Sequence, residues 1–353
     1  MTEPHTAELL AEATEGVTGL DAWQTANLHE MRRAHLRATA VEPALVVALA
    51  RATARSEMLW RQARENDDFA ALAPALETVI GLVRERAGAL GETLGCAPYD
   101  ALLDGYEPGI TAADIDALFA PLIAFLPDFL ERVLAHQAAP LPLDGRFPPV
   151  QQKALGEQLM AALGFDFAHG RLDESAHPFC GGVPDDVRLT ARYDDGDVTS
   201  GLMAILHETG HALYNAGLPK DWRHQPVGRS RSMAVHESQS LLIEMQVCRS
   251  RFFLDFLAPV LGRALGVEGE PWSAANLHRR AIWVERGQIR VDADEVTYPL
   301  HVILRYRLEK ALLDDDLQIA DLPGAWNAGM AELLDVTPPN DRLGCLQDIH
   351  WPG

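Results

Sequence analysis

Apolar residues recur three and four positions apart through residues 1 to about 137, as in the run from Leu76 to Val83. This is the period of an α-helix, and the helix-favouring residues alanine, leucine, glutamate and arginine dominate the same stretch. The segment from Ala138 to Pro149 is rich in proline yet apolar, so we expect a packed connector rather than a flexible linker. The pattern predicts a single domain with a helical lobe at 1–137 and a second lobe at 138–353.

A different pattern, with a period of two, runs from Asp186 to Tyr193. Val187, Leu189 and Ala191 alternate there with polar residues, which predicts a short strand with one apolar and one polar face. The acidic turn at 194–197 leads directly into the next helix. Such a strand could hold an extended peptide through backbone hydrogen bonds, or it could belong to a purely structural hairpin.

The helix after this turn carries the stretch His207-Glu-Thr-Gly-His211. Thr199 and Ser200 are suitable N-cap residues, and Gly217 and Pro219 are typical of a helix end. Histidines four positions apart lie one above the other on a helix, so both rings can reach one metal ion. The glutamate beside the first histidine is suited to act as a base on water at that metal.

Gly210 lies inside the same helix, where glycine is about 1 kcal/mol less favourable than alanine. This predicts a close packing contact at Gly210. The competing interpretation of the whole stretch is a buried helix whose histidines are satisfied by hydrogen bonds.

A catalytic zinc site takes three protein ligands and keeps a fourth position open for water. A third histidine just downstream is excluded, because Tyr214 and Gly217 stand where that extended motif has glycine and histidine. The remaining option is a glutamate from a following helix. We predict Glu237, in a long helix that begins near Arg229, with Glu244 as the competing candidate. If Glu244 is not a ligand, we expect it either behind a ligand or on the surface. The expected buried face of that helix is Leu241, Leu242, Met245, Cys248, Phe252 and Phe253.

Four polar residues further on are spaced by four, three and four positions, which would place them on one helical face. The pattern allows either a solvated face or a polar pocket, and the tyrosine and histidine in it favour the pocket. The residues are Asp294, Tyr298, His301 and Arg305.

The composition limits the possible partners. The 353 residues include 51 acidic and 30 basic side chains, for a formal net charge of -21, and 48% are hydrophobic. Such a surface repels phosphate backbones and anionic lipids, so we expect neither nucleic acid nor a membrane as partner. No signal peptide and no apolar run of about 18 residues is visible. We expect a cytoplasmic protein whose four cysteines, which form no Cys-x-x-Cys pair, are reduced thiols.

Six short motifs in order resemble those of the thermostable carboxypeptidase Taq-type metallocarboxypeptidases, peptidase family M32. The resemblance covers the chain from its first helices to its last residues. The motifs are His177-Pro-Phe179, Asp186-Val-Arg-Leu-Thr190, His207-Glu-Thr-Gly-His211, His236-Glu-Ser-Gln239, Ile289-Arg-Val-Asp-Ala-Asp294 and Gly344-Cys-Leu-Gln-Asp-Ile-His-Trp351.

The resemblance implies a mainly α, elongated helical metallopeptidase of the gluzincin, neurolysin-like type, with a deep groove and a short β-hairpin beside the metal helix. It also implies a homodimer that removes single residues from peptides with a free C-terminus. The implied cofactor is Zn²⁺, with Co²⁺ or Mn²⁺ as alternatives.

The same resemblance assigns roles to single residues. It supports His207, His211 and Glu237 as metal ligands and Glu208 as the catalytic base. It makes Arg290 and Arg188 candidates for binding the terminal carboxylate of the substrate. The candidates for contacts with substrate or oxyanion are His236, Tyr298, His301 and His350.

The chain departs from the family in length. Its opening helical segment is shorter, and the Gly/aromatic stretch that follows the last motif is absent, since the sequence ends at Gly353. We therefore expect a member shortened at both ends. Two other functions remain open: a metallo-endopeptidase or oligopeptidase with the same site, and a metal-binding but inactive truncated homologue.

Overall fold

The computed structural model of the chain describes residues 2–16, 18–175, 178–349 and 351. The mainly α prediction is confirmed, with thirteen α-helices and one small sheet among the described residues. The helices are α1 (Pro4–Glu15), α2 (Ala22–Thr39), α3 (Pro43–Asn66), α4 (Phe69–Leu94), α5 (Pro98–Leu103), α6 (Ala112–His136), α7 (Pro149–Ala162), α8 (Val198–Ala216), α9 (Met233–Leu241), α10 (Arg251–Leu265), α11 (Ala274–Ala281), α12 (Tyr298–Leu313) and α13 (Leu322–Leu334).

The backbone groups two compact units, residues 1–136 with 284–353, and residues 137–283. The core of the first unit joins α4, α12 and α13 through Leu76, Leu300, Ile303 and Trp326, each no more than 1% exposed. Burying each of these side chains stabilises the fold by about 1.5–3 kcal/mol, which ties the C-terminal helices to the N-terminal ones.

The lobe boundary therefore differs in part from the prediction. The break near residue 137 recurs, but residues 284–353 group with the N-terminal helices rather than with residues 138–283. The reason is the shared apolar core of α4, α12 and α13, which helical periodicity alone does not reveal. That the chain is a single domain stays a prediction.

The second unit contains a three-stranded sheet in the order β1-β3-β2, where β1 is Gly170–Glu174, β2 is Phe179–Val183 and β3 is Asp186–Ala191. The predicted strand is β3. It pairs with β1 in parallel and with β2 in an antiparallel hairpin. Because both sides of β3 are hydrogen-bonded, an extended peptide could pair only with the edge strands β1 or β2.

The apolar face of β3 packs against α8. Val187, Leu189 and Ala191 are at most 1% exposed and cluster with Ile205 and Ala212 of the helix. The two-residue period is confirmed from Asp186 to Leu189, whereas Thr190, on the predicted polar face, is 7% exposed and buried as well. The sheet thus supports the helix that carries both histidines.

The start of α8 corrects one prediction. The N-cap is Asp197, whose carboxylate accepts hydrogen bonds from the backbone N–H groups of Thr199 and Ser200 at 2.9 and 3.2 Å. Thr199 and Ser200, predicted as caps, are instead the residues being capped. A carboxylate at this end also complements the helix dipole, so Asp197 anchors the helix entry more strongly than a hydroxyl would.

Candidate metal centre

Three side chains of the second unit bring their donor atoms together. Nε2 of His207 lies 3.4 Å from Oε1 of Glu237, and Nε2 of His211 lies 3.4 Å from Oε2 of the same carboxylate. Taking one donor atom from each residue, the three atoms lie within 4.8 Å of one another. Ligands at about 2.0–2.2 Å from a zinc-sized cation stand roughly 3–3.5 Å apart. The two histidine–carboxylate distances of 3.4 Å match this spacing, so the three residues can hold a single divalent ion.

Gly210 explains how α9 comes close enough to α8 for this convergence. A Cβ added to Gly210 would lie 2.5 Å from the carbonyl oxygen of Gln239 and 2.6 Å from Cα of Ser240. The backbone of α9 therefore crosses α8 directly over Gly210, one turn from where Glu237 projects. The close packing contact predicted at this glycine is confirmed.

The helix that carries Glu237 is shorter than predicted. Ser232 caps α9 by accepting the N–H of Val235 at 3.0 Å, and a π-helix, Leu242–Cys248, follows before α10 begins. A π-helix widens the turn, so the apolar face does not follow the period of an α-helix.

The predicted buried face of this segment is accordingly wrong. Leu241, Leu242 and Phe252 are 38%, 49% and 89% exposed, and of the six expected residues only Cys248 is buried. The π-helix displaces the side chains that follow Leu241 from the positions a continuous α-helix would give them.

Glu208 projects from α8 beside the cluster and is 8% exposed. Burial raises the pKa of its carboxyl group, while the neighbouring His207 and His211 oppose that shift. In contrast, the hydrogen bond with His211 is the main reason that the pKa of Glu237 lies below its ordinary value. The two carboxylates are thus separated in acidity: Glu237 is the ion-pairing group, and Glu208 is the group closer to accepting a proton near neutral pH.

Glu244, the competing ligand candidate, lies on the other side of His207. Its Oε2 is 3.0 Å from Nδ1 of His207, whereas the donor set with Glu237 uses Nε2. Burial alone would lower the pKa of His207, but the hydrogen bond with Glu244 and the charges of Glu237, Glu244 and Glu208 raise it above the usual value. Glu244 also binds Arg249, a residue that the sequence analysis did not identify.

His236 packs against the metal helix. Its ring stacks on His211 with centroids 4.4 Å apart and an interplanar angle of 13°, and it meets Tyr214 edge-on at 5.3 Å. Burial, followed by the charge of His211, lowers the pKa of His236. The structure therefore brings His236 together with the cluster, as a neutral ring in contact with a predicted ligand.

Arg188 lies on β3 and is exposed. Its guanidinium pairs with Asp186 on the same strand, at 2.7 Å and 3.2 Å. The structure does not bring Arg188 into contact with His207, His211 or Glu237. The guanidinium of Arg188 is already paired with the carboxylate of Asp186.

Arg290, Tyr298 and His301 lie in the first unit. The backbone N–H of Arg290 donates to the side chain of Gln347 at 2.8 Å, and its guanidinium donates to Asp348 at 3.3 Å. Tyr298 is 41% exposed at the start of α12. His301 is 1% exposed, and burial lowers its pKa to about 4, against a smaller effect of the Gly287 backbone. His350 lies outside the described residues.

The predicted polar stripe on this helix is only partly correct. Asp294 precedes α12 and accepts hydrogen bonds from the N–H groups of Val296 and Thr297 at 2.9 and 3.0 Å, so it organises the turn before the helix. Tyr298, His301 and Arg305 do lie on α12. His301 is 1% exposed and Tyr298 is 41% exposed, so the face is neither wholly solvated nor wholly buried.

Two further predictions concern the whole chain. Within the described ranges, every helix is too short or too polar to cross a bilayer. Cys96, Cys180, Cys248 and Cys345 are free thiols, as expected.

Comparison with known proteins agrees with the geometry of the centre. The family model of the carboxypeptidase Taq (M32) metallopeptidases matches residues 1–353. Thermostable carboxypeptidase 1 of Thermus thermophilus is 39% identical over 365 residues, covering 100% of this chain and 71% of that protein. Carboxypeptidase 1 of Bacillus subtilis is 36% identical over 302 residues, covering 85% of this chain and 60% of that protein.

The fold of the chain is also similar to that of a solved metallocarboxypeptidase. Metallocarboxypeptidase 1 of Trypanosoma cruzi superposes with a TM-score of 0.96 at 40% sequence identity, covering 100% of this chain and 71% of that one. The two chains therefore share their fold over all the described residues.

Proposed function

The chain belongs to the carboxypeptidase Taq (M32) family of metallopeptidases, and on that premise we propose that it is a metal-dependent carboxypeptidase that hydrolyses the C-terminal peptide bond of peptides. The observation that carries the proposal is the convergence of His207, His211 and Glu237, whose donor atoms lie within 4.8 Å of one another. This set matches the two-histidine, one-glutamate ligands of metallopeptidases that activate water.

The proposed ion is Zn²⁺, which two imidazoles and one carboxylate suit, and Co²⁺ or Mn²⁺ can take the same donors. A divalent ion bound there supplies a Lewis acid that polarises the scissile carbonyl and lowers the pKa of water. His207 and His211 would hold it from α8, and Glu237 would hold it from α9.

Glu208 is the proposed general base. Its carboxylate removes a proton from the water whose oxygen attacks the carbonyl carbon, and it then delivers that proton to the departing amine as the C–N bond breaks. Its buried position supports this role, because a raised pKa brings the carboxyl group closer to the range in which it can both take and release a proton.

Three residues are proposed to donate hydrogen bonds to the substrate or its oxyanion. His236 is supported by its stack on His211. Tyr298 and His301 are supported by the family resemblance. Tyr298 is 41% exposed, and the ring of His301 is buried and neutral. His350 is proposed for substrate binding on the motif alone.

Selection of a free C-terminus is assigned to an arginine that binds the terminal carboxylate. Arg290 is the first candidate, because its guanidinium makes one long hydrogen bond of 3.3 Å to Asp348, whereas Arg188 is held by Asp186 through two nitrogens at 2.7 and 3.2 Å. Internal peptide bonds carry no such anion, so an arginine clamp of this kind makes the enzyme an exopeptidase.

Peptides with a free C-terminus are the proposed substrates, and nucleic acids and membranes are not expected as partners, given the net charge of -21. We also propose a homodimer in the cytoplasm, on the strength of the family resemblance and the four free thiols. Light scattering of the purified protein measures the number of chains in the assembly.

The function is tested by a mass-spectrometric time course on one peptide and its C-terminally amidated twin, each with added Zn²⁺ or Co²⁺. The proposal predicts stepwise loss of single C-terminal residues from the free acid and none from the amide. Internal cleavage of both peptides would favour an endopeptidase, and cleavage of neither would favour an inactive metal-binding protein.

A further inference from the structure

Glu244 forms a hydrogen-bonded connection between the metal helix and the end of α11. Its Oε2 lies 3.0 Å from Nδ1 of His207, and its Oε1 accepts from Nη2 of Arg249 at 2.8 Å. The other amino group of Arg249 donates to the carbonyl oxygen of Ala281 at 3.3 Å. Every oxygen of this carboxylate is thus engaged, and the connection ends on main-chain atoms.

The π-helix makes the pair of Glu244 and Arg249 possible. On an α-helix, residues three and four apart are neighbours and those five apart are not. A π-helix bonds residue i to residue i+5, so a side chain five positions on takes the neighbouring place. Leu242–Cys248 is such a turn, with Arg249 directly after it. The π-helix that interrupts the predicted apolar face therefore brings Glu244 and Arg249 together as an ion pair.

This ion pair is shielded from solvent. The side chains of Glu244, Arg249 and His207 are 17%, 19% and 22% exposed. Hydrogen bonds between charged groups strengthen when water is partly excluded, and a two-point hold fixes the carboxylate in direction as well as position.

The two predicted histidine ligands are supported differently. Nδ1 of His207 has the carboxylate of Glu244, whereas Nδ1 of His211 is buried with no hydrogen-bond partner among the described residues. His211 is held by its stack on His236 instead. A carboxylate on Nδ1 keeps the proton there and leaves the Nε2 lone pair free, on the side where Glu237 lies.

We propose that Glu244 is a positioning residue for His207, held by Arg249 through the π-helix, that fixes the ring and its Nδ1–H tautomer for binding a divalent cation at Nε2. The proposal rests on the metal site of the proposed function but adds a residue outside the ligand set. It also gives the π-helix a role: it places Arg249 next to Glu244, which a continuous α-helix would not do.

The test is Zn²⁺ affinity, measured by competition with a chromophoric chelator on the full chain. Glu244→Ala should weaken binding about 10–100-fold, as loss of a partner behind a ligand usually does. Arg249→Met should weaken it in the same direction by a smaller factor. Arg251→Met is the matched control, because Arg251 is an exposed arginine two positions on, and it should bind Zn²⁺ as wild type does.

Two further measurements separate positioning from a general structural effect. Glu244→Gln keeps an oxygen that accepts from Nδ1–H, so it should restore most of the affinity lost in Glu244→Ala. Nitrogen-15 NMR of histidine-labelled, metal-free wild type, recorded at a pH high enough that His207 is neutral, should show its one ring proton on Nδ1. This signature decides the matter even if Glu244→Ala fails to fold.

The proposal is overturned if Glu244→Ala binds Zn²⁺ within twofold of wild type, or if neutral, metal-free His207 carries its one ring proton on Nε2. It is also overturned if Glu244→Ala abolishes binding as completely as Glu237→Ala, since Glu244 would then be a ligand. No peptide is used, so a protein that passes this test but cleaves nothing contradicts the proposed function and leaves this inference intact.

Discussion

The carbonyl oxygen of Gln239 lies 2.5 Å from the point that a side chain on Gly210 would occupy. Two helices of a metal centre are therefore in backbone contact between the histidines of one and the glutamate of the other. The absence of a side chain at Gly210 is what permits that distance, and the distance in turn places Glu237 between His207 and His211.

Gly210→Ala should lower both stability and metal affinity. The added methyl group must push α9 away, which typically lowers the free energy of unfolding by about 1–3 kcal/mol. Urea unfolding and Zn²⁺ titration measure the two effects. Gly81→Ala in α4 is the control, because a Cβ there meets nothing within 4 Å. That substitution should raise stability by about 0.5–1 kcal/mol. Equal behaviour of the two variants would contradict the close crossing.

Glu208→Gln should keep one Zn²⁺ per chain and lose hydrolysis. Gln cannot take a proton from water, and a general base contributes about 10²–10⁴-fold to the rate. Metal content and kcat are measured on the same preparation. Glu268→Gln, a substitution at an exposed glutamate before α11, should match wild type in both. Turnover near normal in Glu208→Gln would remove Glu208 from the mechanism.

Arg290→Ala should reduce kcat/KM for a free-acid peptide by about 10–100-fold, the effect of losing a hydrogen bond to a charged group. Arg188→Ala is the internal comparison, since its guanidinium is held by Asp186. The ratio of the two losses decides which arginine binds the terminal carboxylate. A larger loss in Arg188→Ala would reverse the assignment.

His301 should make the protein less stable in mild acid. Its pKa is about 4 in the folded chain against an ordinary value of 6.5. The unfolded chain therefore binds the proton first, and stability falls as the pH drops from about 6.5 towards 4. The loss attributable to His301 between pH 7.5 and 4.5 is about 2–3 kcal/mol.

His301→Leu removes this titration. Urea unfolding of both proteins at several pH values should show that the variant loses about 2–3 kcal/mol less than wild type across that interval. Parallel stability curves for the two proteins would mean that His301 titrates alike in the folded and unfolded chains.

The local parts of the site could be predicted from the sequence. The four-residue spacing of His207 and His211 requires only a regular helix. Glycine is unfavourable inside a helix, so its presence at position 210 predicted a close packing contact there. The alternation of Val187, Leu189 and Ala191 likewise predicted β3. In each case the prediction concerns one helix or one strand. The period of that element decides which residues share a face.

What failed depends on irregular or distant geometry. The π-helix Leu242–Cys248 has no periodic signature of its own, so the buried face was misplaced and the pairing of Arg249 with Glu244 was missed. The grouping of residues 284–353 with the N-terminal helices is set by side chains far apart in sequence, such as Leu76 and Trp326. The N-cap of α8 is Asp197 and not Thr199 or Ser200. Several residues of the acidic turn are suitable N-cap residues, so the sequence alone does not decide which of them caps the helix.

The central claim is that His207, His211 and Glu237 hold one divalent ion, and a crystal soaked in Zn²⁺ tests it most directly through anomalous scattering at the zinc edge. The account predicts one strong peak about 2.0–2.2 Å from Nε2 of each histidine and from the carboxylate of Glu237. A peak that lies elsewhere, or one bound by Glu244 in place of Glu237, would contradict it.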